Sequence, residues 1–115
     1  MRGGDGGGYR LLRFFWRADD RIRLGGAFGL SGNCAEWGEG EKKAAQMAVD
    51  EINAAGGING KKINFIIEDT QCESKTLVGA INKLVHVDNA VAIIGPTWGD
   101  SYQGGWPVLR AAKVP

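Results

Sequence analysis

The sequence predicts an α/β fold built on a doubly wound, Rossmann-like parallel sheet, and three observations carry that expectation. Apolar runs of strand length alternate with stretches of helical period in the order strand, helix, strand, helix, strand, helix, the pattern of right-handed crossovers. The segment Ala48 to Gln71, AVDEINAAGGINGKKINFIIEDTQ, joins the end of a helix to a strand through a double glycine and an Asn-Gly turn. Within it, Ile63, Phe65, Ile66 and Ile67 form a run too continuous for a half-exposed strand, so a parallel strand covered on both faces is expected.

The elements follow in chain order. Residues 1–20 are rich in Gly and Arg, and Arg13 and Arg17 interrupt their one apolar run, so they are set apart from the fold. Ile22, Leu24, Ala27 and Phe28 mark a first strand, in which Gly25-Gly26 predicts close approach by a neighbouring element. Gly29 to Gly38 is a loop of glycine and small polar residues, and a helix is expected from about Glu39, where Glu39 and Glu41 suit the positive helix end. Its apolar face carries Ala44, Ala48 and Ile52, with Ala45 and Val49 beside them.

Gly56 and Gly57 stop that helix, and Asn59-Gly60 reverses the chain, because these residues tolerate positive φ. After the second strand, Thr70-x-x-Glu73 has the spacing of a capping box, with Ser74 the competing N-cap. The second helix shows Leu77, Ile81, Leu84 and Val85 on one face and closes at Asp88-Asn89. Ala90 to Gly95 is expected to be a third buried strand, Pro96 to Gly105 a loop and helix start, and Pro107 to Lys113 a further short helix or its continuation.

Composition narrows the function classes. With 115 residues and 43% hydrophobic content the chain is one domain or part of one. Its net charge of +1 comes from the leader, where four Arg face three Asp, so the remainder is balanced at ten basic and ten acidic residues. That balance argues against a nucleic-acid footprint or an anionic-membrane patch. No apolar run has the length of a bilayer span.

Catalysis finds little support. His86 is the lone histidine, no C-x-x-C is present, and no base-nucleophile pair is visible, so neither a catalytic residue nor a metal or cofactor is expected. Gly26, Gly29 and Gly32 follow a strand without forming G-x-G-x-x-G, and no Walker A sequence occurs, which counts against a nucleotide-dependent α/β enzyme. Glu68-Asp69 ends a strand, where solvation or helix-cap support is a better account than paired acid-base work.

In a doubly wound sheet, ligands collect outside the carboxyl ends of the strands at the point where strand order reverses. With a strand order of 2-1-3, that crevice falls between the loops Gly29 to Gly38 and Pro96 to Gly104. The two loops carry Trp37 and Trp98. An indole face buried on an aliphatic ligand contributes on the order of 1 to 2 kcal/mol. The alternative for Trp37 is packing as a hydrophobic staple on its own helix.

The stretch AVDEINAAGGINGKKINFIIEDTQCESK resembles the N-terminal lobe of type I periplasmic solute-binding proteins, in particular the branched-chain amino acid receptors of ABC transporters. Matching features run from Arg21 to Pro115. The resemblance implies a two-lobed molecule of which residues 21–115 are the N-terminal part of lobe 1, truncated, with one sheet edge and some apolar helix faces left uncovered. It implies a non-catalytic, extracytoplasmic receptor, in the periplasm or on the outer face of the membrane, that captures a small polar solute such as an amino acid and delivers it to an ABC permease. A sensory ligand-binding domain of the same fold, coupled to a signalling module, is the alternative. Residues 1–20 do not form the signal peptide such a protein needs, and stand as a misassigned start, a fusion remnant, a disordered leader or a degraded signal.

The resemblance also implies a site. Trp37 lies where branched-chain receptors often set an aromatic residue against the ligand side chain, and Thr97, Trp98, Gly99, Asp100 and Ser101 fall on the segment that holds the ligand carboxylate. The family's usual serine falls on Gly99, which can supply a backbone N–H but no hydroxyl; Ser101 is the substitute after a small shift. Asp100 either disfavours a bound carboxylate and attracts an ammonium group, or serves as an N-cap. Cys34 and Cys72 are either a disulfide, permitted in an oxidising periplasm, or free thiols; the family's cysteine near Cys72 commonly pairs with the third-strand loop, where this chain has Trp98.

Overall fold

The computed structural model describes residues 21–115, with Asp100 and Ser101 as backbone only. The expectations for residues 1–20 lie outside the described residues. In chain order the elements are β1 (Ile22–Phe28), α1 (Ala35–Ala54), β2 (Ile63–Asp69), α2 (Ser74–Asn82) continued by a π-helical turn (Lys83–Val87), β3 (Ala92–Ile94), a 3-10 segment (Gly99–Gly104) and α3 (Trp106–Ala112). All three strands are parallel, in the order β2-β1-β3. Ile22 stands opposite Ile63, Phe28 opposite Asp69, and Gly25 opposite Ile93. The direction of winding therefore reverses between β1 and β3, as the doubly wound expectation requires.

Glycine in β1 lets the layers close. A Cβ on Gly25 would lie 3.1 Å from Ile93 Cγ1 and 3.2 Å from Leu84 Cδ1, and one on Gly26 would lie 2.8 Å from Phe28 Cε2. Against this flat strip sits a core of Ala27, Leu77, Ile81, Leu84, Val85, Ala90 and Leu109. The helical face read from the sequence, Leu77, Ile81, Leu84 and Val85, is buried throughout. Each such side chain contributes roughly 1.5 to 3 kcal/mol on leaving water.

The connection from α1 to β2 follows from turn chemistry. Gly57 N donates to Ile52 O at 2.8 Å and Gly56 N to Asn53 O at 3.1 Å, with φ of 84° and 106° at the two glycines, so the helix ends in a Schellman motif. Asn59 and Gly60 take φ of 52° and 81°, and Ile58 and Lys61 exchange backbone hydrogen bonds across them. Asn53 then pins the start of β2: its Nδ2 donates to Ile63 O at 2.9 Å, and Ile63 N donates to its Oδ1 at 2.7 Å.

Several expectations are corrected. Helix α1 begins at Ala35 rather than near Glu39, because Gly32 turns the chain at φ of 86° and the carbonyls of Gly32 and Cys34 accept the first helical N–H groups. Its buried strip runs through Gly38 and Val49, with Ala45 and Ile52 partly covered, while Ala44 and Ala48 are exposed. Ala44 borders an open groove of about 510 Å³ shared with Phe28, Glu41, Ile94 and Pro96.

Among the described residues strand β2 stands at an edge of the sheet with β1 as its one strand neighbour, and it is covered less than expected: Ile63 is buried and its other residues are half-buried. Strand β3 pairs over three residues rather than the six of Ala90 to Gly95, and its Ile94 is exposed. No capping box forms at α2. The N-cap position is Glu73, without a side-chain cap bond, and Thr70 Oγ1 accepts from Cys72 N at 3.3 Å instead. The last turn before Asp88 is π-helical, with Asp88 N donating to Lys83 O at 3.0 Å. Among the described residues no helix is long and apolar enough to cross a membrane.

Candidate ligand-binding rim

Because the three strands are parallel, the loops that follow β1, β2 and β3 emerge at one edge of the sheet. They meet around Gly29. Its N–H donates to Thr97 Oγ1 at 2.9 Å, tying the β1 loop to the β3 loop. Beneath it, Cys34 and Cys72 are joined as a disulfide with their Cα atoms 5.9 Å apart, tying the β1 loop to the β2 loop. A Cβ on Gly29 would run into both sulfurs, and one on Gly38 would run into the Gly29 carbonyl. Close approach of these two glycines seats the first turn of α1 on the end of β1.

That seating aims Trp37 at the third-strand loop. Its ring centroid lies 6.0 Å from that of Trp98, with the planes inclined by 50°. Trp37 is 58% exposed and Trp98 37%, so both indoles reach solvent. Trp37 belongs to helix α1, not to a free loop, and its ring meets that of Trp98 on the loop after β3. Thr97 is partly buried and occupied as the acceptor for Gly29. A Cβ on Gly99 would meet open space.

The 3-10 segment starts at Gly99, and its N-cap position is Trp98, so the backbone does not assign Asp100 the N-cap role. The side chains of Asp100 and Ser101 lie outside the described residues.

Asp69 is the polar centre of the rim. Its Oδ1 accepts from Leu30 N at 2.9 Å, Ser31 N at 3.3 Å and Gln71 N at 2.8 Å, and its Oδ2 accepts from Ser31 Oγ at 2.7 Å. Partial burial works against its ionisation. The hydrogen bonds from the Ser31 hydroxyl and from the N–H groups of Gln71, Leu30 and Ser31 outweigh that and hold the carboxyl below its ordinary value. Glu68 turns elsewhere, pairing with Lys83 at 3.0 Å, and Lys83 also meets Asp88 at 2.7 Å. The bond to Asp88, with that to Glu68, raises the Lys83 pKa. Glu68 and Asp69 are thus engaged separately and form no acid-base pair. His86 is exposed at the end of the π-helical turn. Among the described residues no group of three His, Cys, Asp or Glu side chains could hold a metal ion.

Of the expected site residues, Trp37, Thr97 and Trp98 come together, Gly99 adjoins them, and Cys34 and Cys72 lie beneath. The roles of Ser31 and Asp69 as a clamp are not among the sequence expectations. The available signal was a strand-ending aspartate facing a Ser-Gly turn, both suited to side-chain-to-backbone bonding.

Fold and rim together define an open, doubly wound α/β domain with its loops gathered at the switch point. The chain belongs to the periplasmic binding protein family, whose model matches residues 21–115. It is 43% identical over 74 residues to an amino acid binding protein of Pseudomonas aeruginosa, covering 64% of this chain and 20% of that protein. It is 34% identical over 86 residues to the leucine-, isoleucine-, valine-, threonine- and alanine-binding protein of the same organism, covering 75% of this chain and 23% of that one. Among solved structures, the branched-chain amino acid transporter substrate binding protein LivJ of Streptococcus pneumoniae, in complex with isoleucine, superposes with a TM-score of 0.80 at 37% identity. That match covers 83% of this chain and 27% of the other. The chain thus spans about a fifth to a quarter of the length of these relatives.

Proposed function

We propose that this chain belongs to the extracytoplasmic substrate-binding component of an ABC transporter, a non-catalytic receptor that captures a small polar solute such as an amino acid and hands it to a membrane permease. The observation that carries the reading is the meeting of Trp37 and Trp98 at 6.0 Å where the β1 and β3 loops diverge. An open α/β sheet binds its ligand at that place. Two indoles offer apolar contact, and the N–H groups at the start of the 3-10 segment offer donors for a carboxylate. Closure of a second lobe over the solute would exclude water and strengthen each polar contact. Relatives named for leucine, isoleucine and valine binding support the amino-acid class.

The test is a thermal-shift screen of the full-length protein against amino acids, amides, polyamines and aromatic acids. A true ligand at about a hundred times its Kd adds about 2.7 kcal/mol of stability and is recovered unchanged. Indifference to every class overturns the receptor function.

A further inference from the structure

We propose that Asp69 and Ser31 are positioning residues for the solute: without reaching it, they hold the first turn of α1 so that Trp37 stands against the third-strand loop. This rests on the receptor function proposed above. In the order β2-β1-β3 the crevice opens between β1 and β3, so Asp69, at the end of β2, stands one strand away from it. Its carboxylate is committed to the two loops beside it by four hydrogen bonds, from Leu30 N, Ser31 N, Ser31 Oγ and Gln71 N.

The path from this clamp to Trp37 is short. Asp69 fixes Leu30 and Ser31; Gly32 then turns at φ of 86°, so near the β2 loop that a Cβ there would lie 2.6 Å from Gln71 O. Cys34 follows, bonded to Cys72, and its carbonyl accepts the N–H of Trp37 at 3.1 Å and of Gly38 at 3.0 Å. Each step from Asp69 to the Trp37 backbone is a direct contact or a neighbour in the chain.

The β2 loop is itself held in a shape it does not favour. Gln71 and Cys72 take φ of 55° and 58°, two successive non-glycine residues in the left-handed region. Such residues persist where the surrounding bonds over-determine them, and they gather at functional sites. Asp69 Oδ1 accepts the Gln71 N–H at 2.8 Å, and Thr70 Oγ1 accepts that of Cys72 at 3.3 Å. This shape brings Gln71 O to Gly32 and the Cys72 sulfur to Cys34, the two points that set the entry to α1. With the clamp loosened, Trp37 holds its place for only a fraction of the time, and apparent affinity falls by that fraction.

The experiment uses the full-length protein, with leucine as the probe in titration calorimetry and circular dichroism reading the Trp37–Trp98 pair, whose transitions couple at a separation of 6.0 Å. The part of the spectrum lost in Trp98→Phe is the signal of the pair. Ser31→Ala and Asp69→Asn should each weaken leucine by about 3- to 10-fold and diminish that signal, while Ser31→Thr, which keeps the hydroxyl, should restore both. Ser31 is exposed, so its variants serve where Asp69→Asn fails to fold. Asn53→Ala is the control: it removes two hydrogen bonds at the opposite end of β2, and should lower the melting temperature while leaving affinity and signal unchanged. An unchanged affinity or an unchanged pair signal in Ser31→Ala overturns the inference and leaves the receptor function standing. Equal losses in Asn53→Ala also overturn it, because general destabilisation then accounts for them. If leucine is silent, the variants are compared with the solute found in the thermal-shift screen; silence there overturns the receptor function, and the pair signal alone then decides whether the clamp holds Trp37.

Discussion

The hydroxyl of Ser31 donates to Asp69 Oδ2 at 2.7 Å, joining residues 38 apart in the chain. The same carboxylate accepts the N–H groups of Leu30 and Ser31 on one loop and of Gln71 on the other. One side chain at the end of β2 thereby holds the loop after β1, and with it the entry to the helix that carries Trp37. The Cys34–Cys72 disulfide ties the same two loops a few residues further on. The rim is a linked frame, and its parts can be removed one at a time.

Removing the clamp tests its electrostatics. Asp69→Asn should lower stability by about 1 kcal/mol at neutral pH, a modest figure because the carboxylate is partly solvated. The folded carboxyl ionises below its ordinary value of 3.8, so its contribution is complete above that pH and is lost as acid carries the pH down through the folded value. Urea midpoints measured from pH 7 to pH 3 should therefore fall more steeply in the parent than in Asp69→Asn. Parallel curves would show that the carboxylate is not held by these bonds.

Breaking the disulfide acts on the unfolded chain. Closing a loop between positions 38 apart is worth roughly 3 to 4 kcal/mol in the chain-entropy model. Reduction, or the Cys34→Ser/Cys72→Ser double variant, should lower the denaturation midpoint accordingly. Mass spectrometry under non-reducing conditions supplies the control: two alkylatable thiols in the untreated protein would contradict the bond.

Two glycines of one helix should respond in opposite directions. Gly38→Ala places a methyl group against the Gly29 carbonyl and should cost about 1 to 3 kcal/mol by overpacking. Gly40→Ala meets nothing within 4 Å and should stabilise by about 0.5 to 1 kcal/mol through helix propensity. Thermal melts of the two variants decide this; a stable Gly38→Ala would mean that α1 does not rest on the end of β1.

Packing is checked in the core and at the surface together. Ile81 is fully buried against Gly105 and the centre of the core, so Ile81→Ala should cost about 2 to 5 kcal/mol. Met47 is 64% exposed on α1, and Met47→Ala should stay within about 0.5 kcal/mol of the parent. Equal losses at the two positions would contradict the assigned faces.

How far the fold could be read in advance varies with the range of the contact. The helix stop at Gly56-Gly57, the reversal at Asn59-Gly60 and the buried face of α2 are all readable, because each depends on neighbours within a turn or two. The start of α1 is not. Gly32, Gly38 and Gly40 make its first turns look like loop, whereas Gly38 is small because another strand end lies against it. Coverage of β2 and β3 is likewise a property of position in the sheet, which an apolar run does not encode.

Period and turn chemistry alone were enough to establish an α/β chain with parallel strands joined by helical crossovers, whereas the β2-β1-β3 order that brings the Trp37 and Trp98 segments together was only a supposition until the sheet was seen. The 50° corner between those indoles, the Asp69 clamp and the bridging of Cys34 to Cys72 came only with the packed chain. The reason is physical. Backbone preferences act over a few residues, while distances between side chains tens of residues apart are set by how the layers close on one another.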